Sequence, residues 1–99
     1  MVGYEYHSDA EAEYLDAVRY YCEIGAELGM AFVTEVEAAV NRARRFPEAH
    51  RRISDNLRRV LTHRFSYAII YEPLEDRIFI WAVAHTSREP GYWKARLEE

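Results

Sequence analysis

Two stripes of apolar residues at helical spacing occupy the first half of the chain. The first stripe recurs at three- and four-residue intervals: Tyr14, Leu15, Val18, Tyr21 and Cys22. The second has the same spacing: Phe32, Val33, Val36, Val40 and Ala43. They predict two amphipathic helices, the first ending near Gly25 and separated from the second by Gly29. A capping box of Ser8 and Glu11 starts the first helix, Pro47 stops the second, and the pair forms an antiparallel hairpin.

Strand-like segments fill the second half. Residues 57–62, 67–71 and 77–85 are rich in β-branched and aromatic side chains and are separated by turn-like stretches, which predicts a three-stranded meander. The alternating residues 4–7 add a short opening strand. The last strand is apolar on both faces, so we expect it at the centre of the sheet, with the helices on one face and another cover on the other. Pro90 suits the first turn of a short terminal helix.

These elements predict one α+β domain over residues 1–99, in the order β-α-α-β-β-β followed by the short helix. The helix hairpin packs on one face of a small antiparallel sheet. A chain of 99 residues is long enough for one core and too short for two. Its 49% hydrophobic and 30% charged residues are ordinary for a soluble globular protein.

The single cysteine, Cys22, excludes an internal disulfide and a cysteine-based metal site. No window approaches 18 consecutive apolar residues, and a signal-peptide pattern is missing from the sequence. We therefore expect a cytoplasmic protein with no membrane partner. Gly-rich phosphate loops, nucleophile elbows and zinc-like spacings of His or Cys are also missing, so the sequence implies no cofactor, no metal and no small-molecule substrate.

Charge is distributed unevenly along the chain, whose net charge is −4. Residues 1–41 hold nine acidic residues and one arginine, whereas residues 42–64 hold eight arginines and two acidic residues. Asp9, Glu13 and Asp16 are expected on the solvated side of the first helix. The arginine cluster would attract phosphate or an acidic partner. The alternative interpretation is a solvated helix end next to an edge strand, where arginines have structural roles.

Strand pairing predicts where the most reactive side chains meet. If Glu72 faces Arg77 across the second turn, antiparallel pairing places His85 opposite the neighbourhood of Arg64. His63, Arg64, His85 and Arg88 would then converge at one corner of the sheet.

The chain resembles the RelE/ParE toxin family over nearly its whole length. The order of elements agrees, and the most specific motif is H-x-x-R-x-P-G-Y-W at residues 85–93. Supporting segments are 10–15, the pair Tyr20-Tyr21, 32–39, 58–61 and 64–71. The resemblance implies a bacterial toxin of a type II toxin–antitoxin module, neutralised by a small cognate antitoxin. In this family the RelE branch cleaves messenger RNA on the ribosome, and the ParE branch poisons DNA gyrase.

Several departures from the RelE branch favour a ParE-like, protein-binding toxin. Leu61 and Ala68 stand where that branch would carry basic groups, and an acidic chain is poorly suited to docking on RNA. If the chain is instead a metal-independent ribonuclease, its catalytic candidates are His85, Arg64, Arg88 and Tyr92. A third interpretation is a non-toxic family member that only binds a partner.

Candidates for binding the antitoxin or the target are Arg58, Arg59, His63, Arg64, Arg88 and Trp93. Each candidate also has a structural interpretation. His85 could close the central strand with a hydrogen bond, and Arg64 and Arg88 could form surface pairs with acidic neighbours. Tyr92 and Trp93 could pack on the outer face of the sheet. Two assemblies stay open, a homodimer and a heterotetramer with the antitoxin.

Overall fold

The computed structural model describes residues 1–98 as two helices packed on a five-stranded sheet. The elements are β1 (Gly3–Tyr6), α1 (Ser8–Ile24), α2 (Ala26–Arg45), β2 (Arg51–Arg52), β3 (Arg58–Leu61), β4 (Tyr67–Pro73), β5 (Arg77–His85) and a C-terminal 3₁₀ helix (Tyr92–Glu98). The sheet order is β1-β5-β4-β3-β2. The predicted α+β class and the helix hairpin are confirmed. Two details differ: β1 pairs parallel to β5, and the two-residue strand β2 was not predicted.

The pairing of β4 with β5 corrects the predicted register. His85 lies opposite Tyr67 and not near Arg64, and Glu72 lies opposite Phe79 instead of Arg77. The predicted strand ended at residue 71 and was followed by the turn, whereas β4 continues to Pro73. A β-bulge then adds one residue to β5, since Ile70 pairs with Ala82 and the next residue, Tyr71, pairs with Ile80.

The bulged residue is Trp81, and it changes which face the later residues of β5 occupy. Ile78, Ile80 and Val83 all belong to the core beneath the helices, although strict alternation would place Val83 on the other face. On the face opposite the helices, here called the outer face, buried residues form a second cluster: Leu57, Ala68, Ile70, Ala82, Ala84 and Trp93. Both faces of β5 carry buried apolar residues, as predicted, but β5 lies between β1 and β4, and β4 is the middle strand of the sheet.

The start of α1 differs from the predicted capping box. The N-cap residue is His7, whose Nδ1 accepts a hydrogen bond from the backbone N–H of Asp9 at 3.0 Å, and Ser8 is already helical. The backbone N–H of His7 also donates to the carbonyl of Ile80 at 2.8 Å. Strand β1 therefore runs directly into the helix, which shifts the cap one residue earlier than the sequence pattern indicates.

Gly29 lies inside α2 and does not separate the helices as predicted. The break is at Gly25, and α2 begins at Ala26. A Cβ atom at position 29 would lie 2.2 Å from the Sγ of Cys22 and 3.0 Å from its Cα. Gly29 is therefore the residue that lets α2 approach α1 closely.

Replacing Gly29 with alanine should destabilise the protein by roughly 1–2 kcal/mol, because overpacking outweighs the better helix propensity of alanine. Cys22→Ala should recover part of this loss by removing the sulfur, while the backbone contact remains. Gly25→Ala is the control, since a Cβ there has no heavy atom within 4 Å. Urea unfolding of the single and double variants measures the coupling. Additive effects of the Gly29 and Cys22 substitutions would contradict this packing.

Candidate binding site

An open cleft of about 630 Å³ lies on the outer face of the sheet, beside the C-terminal 3₁₀ helix. Its floor is apolar and includes Ile53, Leu57, Ala68, Ile70 and Ala84. Charged or titratable side chains stand around it: Arg59, His85, Arg88, Glu89, Lys94 and Glu98. Two of the floor residues on β4 and β5 are alanines, Ala68 and Ala84, whose small side chains leave space above the sheet. The cleft combines an apolar base with a mostly basic rim, a pattern typical of protein–protein interfaces.

The C-terminal 3₁₀ helix covers only part of this face. Trp93 is buried, 8% exposed, in the outer-face cluster, and Tyr92 packs against the same cluster. On the same helix, Leu97 is 41% exposed at the edge of the cleft. The expected second cover on β5 is therefore present but incomplete, and it leaves the cleft open to a further molecule. Trp93 is a packing residue here, as one of the two interpretations predicted.

Glu13 of α1 fixes the C-terminal helix to the sheet. One carboxylate oxygen accepts hydrogen bonds from the backbone N–H of Val83 at 3.1 Å and from Arg96 at 2.9 Å. The other accepts from Arg96 at 2.9 Å and from the Tyr92 hydroxyl. Arg96 also donates to the carbonyl of Trp81 at 2.9 Å. We call these five residues the Glu13 network.

The geometry of the sheet explains why this network exists. Strand β1 ends at Tyr6, opposite Ile80, so the following residues of β5 have no strand on that edge. The Val83 N–H and the Trp81 carbonyl are instead satisfied by Glu13 and Arg96. Buried backbone groups left without partners would be costly.

Burial works to raise the pKa of Glu13, but the hydrogen bonds from Arg96, Tyr92 and Val83 outweigh it, and the pKa is lowered. The hydrogen bond with Glu13 in turn raises the pKa of Arg96. Burial and the same carboxylate raise the pKa of the Tyr92 hydroxyl far above its ordinary value. Arg88 covers the Tyr92 ring, 3.8 Å from its centre, and lies 3.9 Å from Glu13. Tyr92 is thus held protonated as a hydrogen-bond donor.

His85 is the last residue of β5, as the structural interpretation predicted. Its Nδ1 lies 2.7 Å from the Ser87 hydroxyl and accepts the Ser87 backbone N–H at 3.1 Å. Its ring packs edge-on against Tyr67 at 5.1 Å. His85, Arg59 and Arg88 all line the cleft.

The other candidates lie elsewhere. Arg64 and the exposed His63 are in the turn between β3 and β4, where the Arg64 guanidinium covers the Phe65 ring at 4.9 Å. Phe65 packs against the helix hairpin through Tyr21, and Arg64 does not line the cleft. Arg58 is the neighbour of Arg59 on β3, so its side chain lies on the opposite face of the sheet from the cleft. There it pairs with Glu48 at 3.0 Å.

The predicted corner is only partly assembled. The backbone N–H of Thr86 donates to the carbonyl of Ser66 at 2.8 Å, which holds the β3–β4 turn beside the end of β5. Phe65 and Ser66 both have positive φ, 73° and 55°, so this turn has the left-handed geometry of two non-glycine residues. That geometry turns Arg64 toward the helices, and four basic side chains do not converge as predicted.

Comparison with known families agrees with this architecture. A family model described as the ParE toxin of the type II toxin-antitoxin system, parDE, matches residues 4–90. The chain belongs to the ParE toxin family. The match begins within β1, spans both helices and strands β2 to β5 of this ParE-family toxin, and stops before Tyr92. Membership implies a cognate antitoxin as its partner. No curated protein matches the sequence significantly.

Two negative findings concern other kinds of site in this ParE-family toxin. Within residues 1–98, the structure has no helix long and apolar enough to cross a membrane. The same part of the chain holds no group of three His, Cys, Asp or Glu residues that could bind a metal ion.

Sequence reasoning missed Glu13, which was predicted on the solvated side of α1 but has a side chain only 16% exposed. The sequence did hold a signal, because Glu13 lies three residues after Ala10 and four before Ala17 and so shares a helix face with these small apolar residues. Both alanines are buried in the structure. No sequence pattern singled out Arg96. Its partners come from α1 and β5, more than ten residues away in sequence.

Proposed function

We propose that this ParE-family toxin acts in the cytoplasm by binding DNA gyrase and inhibiting it, which arrests growth when no antitoxin is present. The cognate antitoxin neutralises it by covering the outer-face cleft, and such a module would contribute to plasmid stabilization. The observation that carries the proposal is the cleft itself, about 630 Å³ with an apolar floor and a charged rim. A surface of this kind is suited to a protein segment.

The alternative, RNA cleavage on the ribosome, needs a base, an acid and fixed positive charge around one phosphate. The side chains of this chain support that arrangement poorly. The Tyr92 hydroxyl donates to Glu13 and is therefore already engaged. Arg64 covers Phe65 on the helix side of the turn. With a net charge of −4, the chain also lacks the general attraction for RNA that ribosome docking requires.

The experiment compares gyrase supercoiling and messenger RNA integrity in the presence of the purified toxin. We expect supercoiling to be blocked while messenger RNA stays intact in a translation extract. Met30→Ala should leave the inhibition unchanged, because Met30 is exposed on α2 and does not line the cleft. Cleavage of messenger RNA that His85→Ala or Arg64→Ala abolishes would overturn the proposal. Normal growth on induction without the antitoxin would favour the non-toxic, partner-binding alternative.

A further inference from the structure

Four arginines face one another across the short hairpin of β2 and β3. Arg51 lies directly opposite Arg59, and Arg52 lies directly opposite Arg58. Directly opposite side chains of an antiparallel pair share a face and have Cβ atoms about 5 Å apart, so like charges there repel. Each pair therefore destabilises the hairpin unless a negatively charged group lies nearby.

The two pairs differ in how this repulsion is relieved. Arg58 forms an ion pair with Glu48 at 3.0 Å and donates to the carbonyl of His50 at 2.8 Å. Its partner Arg52 lines a recess that also contains Glu48 and Asp55. Arg58 thus has an ion-pair partner, and Arg52 shares a recess with two carboxylates.

In the described part of the chain, neither arginine of the pair on the other face forms an ion pair, although Arg59 shares the rim of the cleft with Glu89 and Glu98. Within residues 1–98, no carboxylate lies within ion-pair distance of Arg51 or Arg59. Arg59 lines the outer cleft next to Leu57, and Arg51 shares its face and is exposed. Two arginine side chains therefore leave opposite positions on one face of the hairpin, neither within ion-pair distance of a carboxylate in residues 1–98, and Arg59 lies at the edge of the apolar cleft.

We propose that Arg51 and Arg59 form a carboxylate-binding site at the mouth of the cleft. It recognises an Asp or Glu side chain in an antitoxin segment, and an apolar neighbour of that residue fills the cleft above Ile70. The guanidinium fork matches a carboxylate in a bidentate geometry, which removes the repulsion within the pair. This inference rests on the proposed function, because it specifies the partner of the same cleft.

The composition of the site favours an acidic peptide over a nucleic acid. The floor next to Arg59 is built of Leu57, Ala68 and Ile70, which offers burial to an aliphatic side chain. The rim also carries Glu89 and Glu98, which would repel a phosphate backbone. A single carboxylate is also repelled by these residues, but less than a chain of phosphates that passes along the rim, and its apolar neighbour suits the floor.

The test measures binding of the cognate antitoxin to the full chain by calorimetry. Arg51→Glu and Arg59→Glu should each weaken binding at least about tenfold, as loss of a charge-assisted hydrogen bond does. Arg52→Glu is the matched control on the same strand and should change binding less than about threefold. Binding of both test variants within threefold of the unmodified chain would overturn the inference. If the two Glu variants bind the antitoxin normally but bind RNA more weakly than the unmodified chain does, the inference is also overturned.

A second variant separates recognition from a structural role. Arg59→Gln removes the repulsion within the pair, so the free toxin should be no less stable while the complex is weaker. A parallel loss of stability and affinity would contradict the proposal. Failure of the unmodified chain to bind the antitoxin at all would instead contradict the proposed function, so the two failures are distinguishable.

Discussion

Glu13→Gln is expected to destabilise the protein by about 2–3 kcal/mol, because it removes the charged partner of a partly buried, hydrogen-bonded ion pair. Glutamine keeps the size of the side chain but loses the charge that faces Arg96, whose own side chain is only 13% exposed. The Tyr92 hydroxyl also loses its charged acceptor. The C-terminal 3₁₀ helix should therefore detach more readily from the outer face.

Urea unfolding followed by circular dichroism measures the loss of stability, and tryptophan fluorescence of a Trp81→Phe background reports on Trp93. Glu11→Gln is the control, because Glu11 is exposed on the same helix and should change stability by less than about 0.5 kcal/mol. Equal effects of the two substitutions would show that the Glu13 network does not hold the C-terminal helix.

The same network predicts how stability depends on pH. Because the pKa of Glu13 is lower in the folded protein than its ordinary value of 4.5, its ionised form stabilises the fold above about pH 4.5. This contribution should be lost as the pH falls through the lowered pKa of the folded state. Glu13→Gln should remove that part of the acid sensitivity. Identical acid unfolding profiles for the two proteins would contradict the assignment.

Phe32→Ala is expected to cost about 4 kcal/mol, the usual effect of removing a fully buried aromatic ring. Phe32 is 0% exposed and joins the helix hairpin to the sheet. Its ring centre lies 4.8 Å from that of Tyr21, 4.9 Å from that of Tyr67 and 5.3 Å from that of Phe65. Removing it leaves a cavity where α1, α2, β4 and the β3–β4 turn meet.

Thermal and urea unfolding test this prediction against Met30→Ala on the same helix. Met30 is 72% exposed, so its truncation should change stability by less than about 0.5 kcal/mol. A Phe32 variant as stable as the Met30 variant would mean that the aromatic cluster does not join the hairpin to the sheet.

Most of the fold follows from local patterns. The two apolar stripes predict α1 and α2, and the β-rich segments predict β3, β4 and β5 within a few residues. The second stripe succeeds because amphipathic spacing records which face of α2 is buried. In α1 the helix is correct but the buried residues are Ala10 and Ala17, whereas Leu15 and Cys22 of the stripe are exposed. The two-residue strand β2 is too short to leave such a pattern. The cap at His7 depends on where β1 meets β5, which is information from another part of the chain.

The site is less predictable because it depends on register and on contacts distant in sequence. A bulge at Trp81 and a longer β4 move His85 three positions away from the neighbourhood assumed for it. The left-handed turn at Phe65 then directs Arg64 toward the helices. Arg59, Arg88 and Trp93 were nevertheless among the binding candidates and do line the cleft. Arg51 entered the site only through its pairing with Arg59.

The central claim is that the outer-face cleft is the surface through which this toxin binds its protein partner. Hydrogen–deuterium exchange of the toxin, alone and with the cognate antitoxin, tests it most directly. We predict that the antitoxin slows exchange in the C-terminal 3₁₀ helix, in residues 86–91 and at the β2–β3 hairpin. Protection confined to α1 and α2, with unchanged exchange around Trp93 and Arg59, would contradict it.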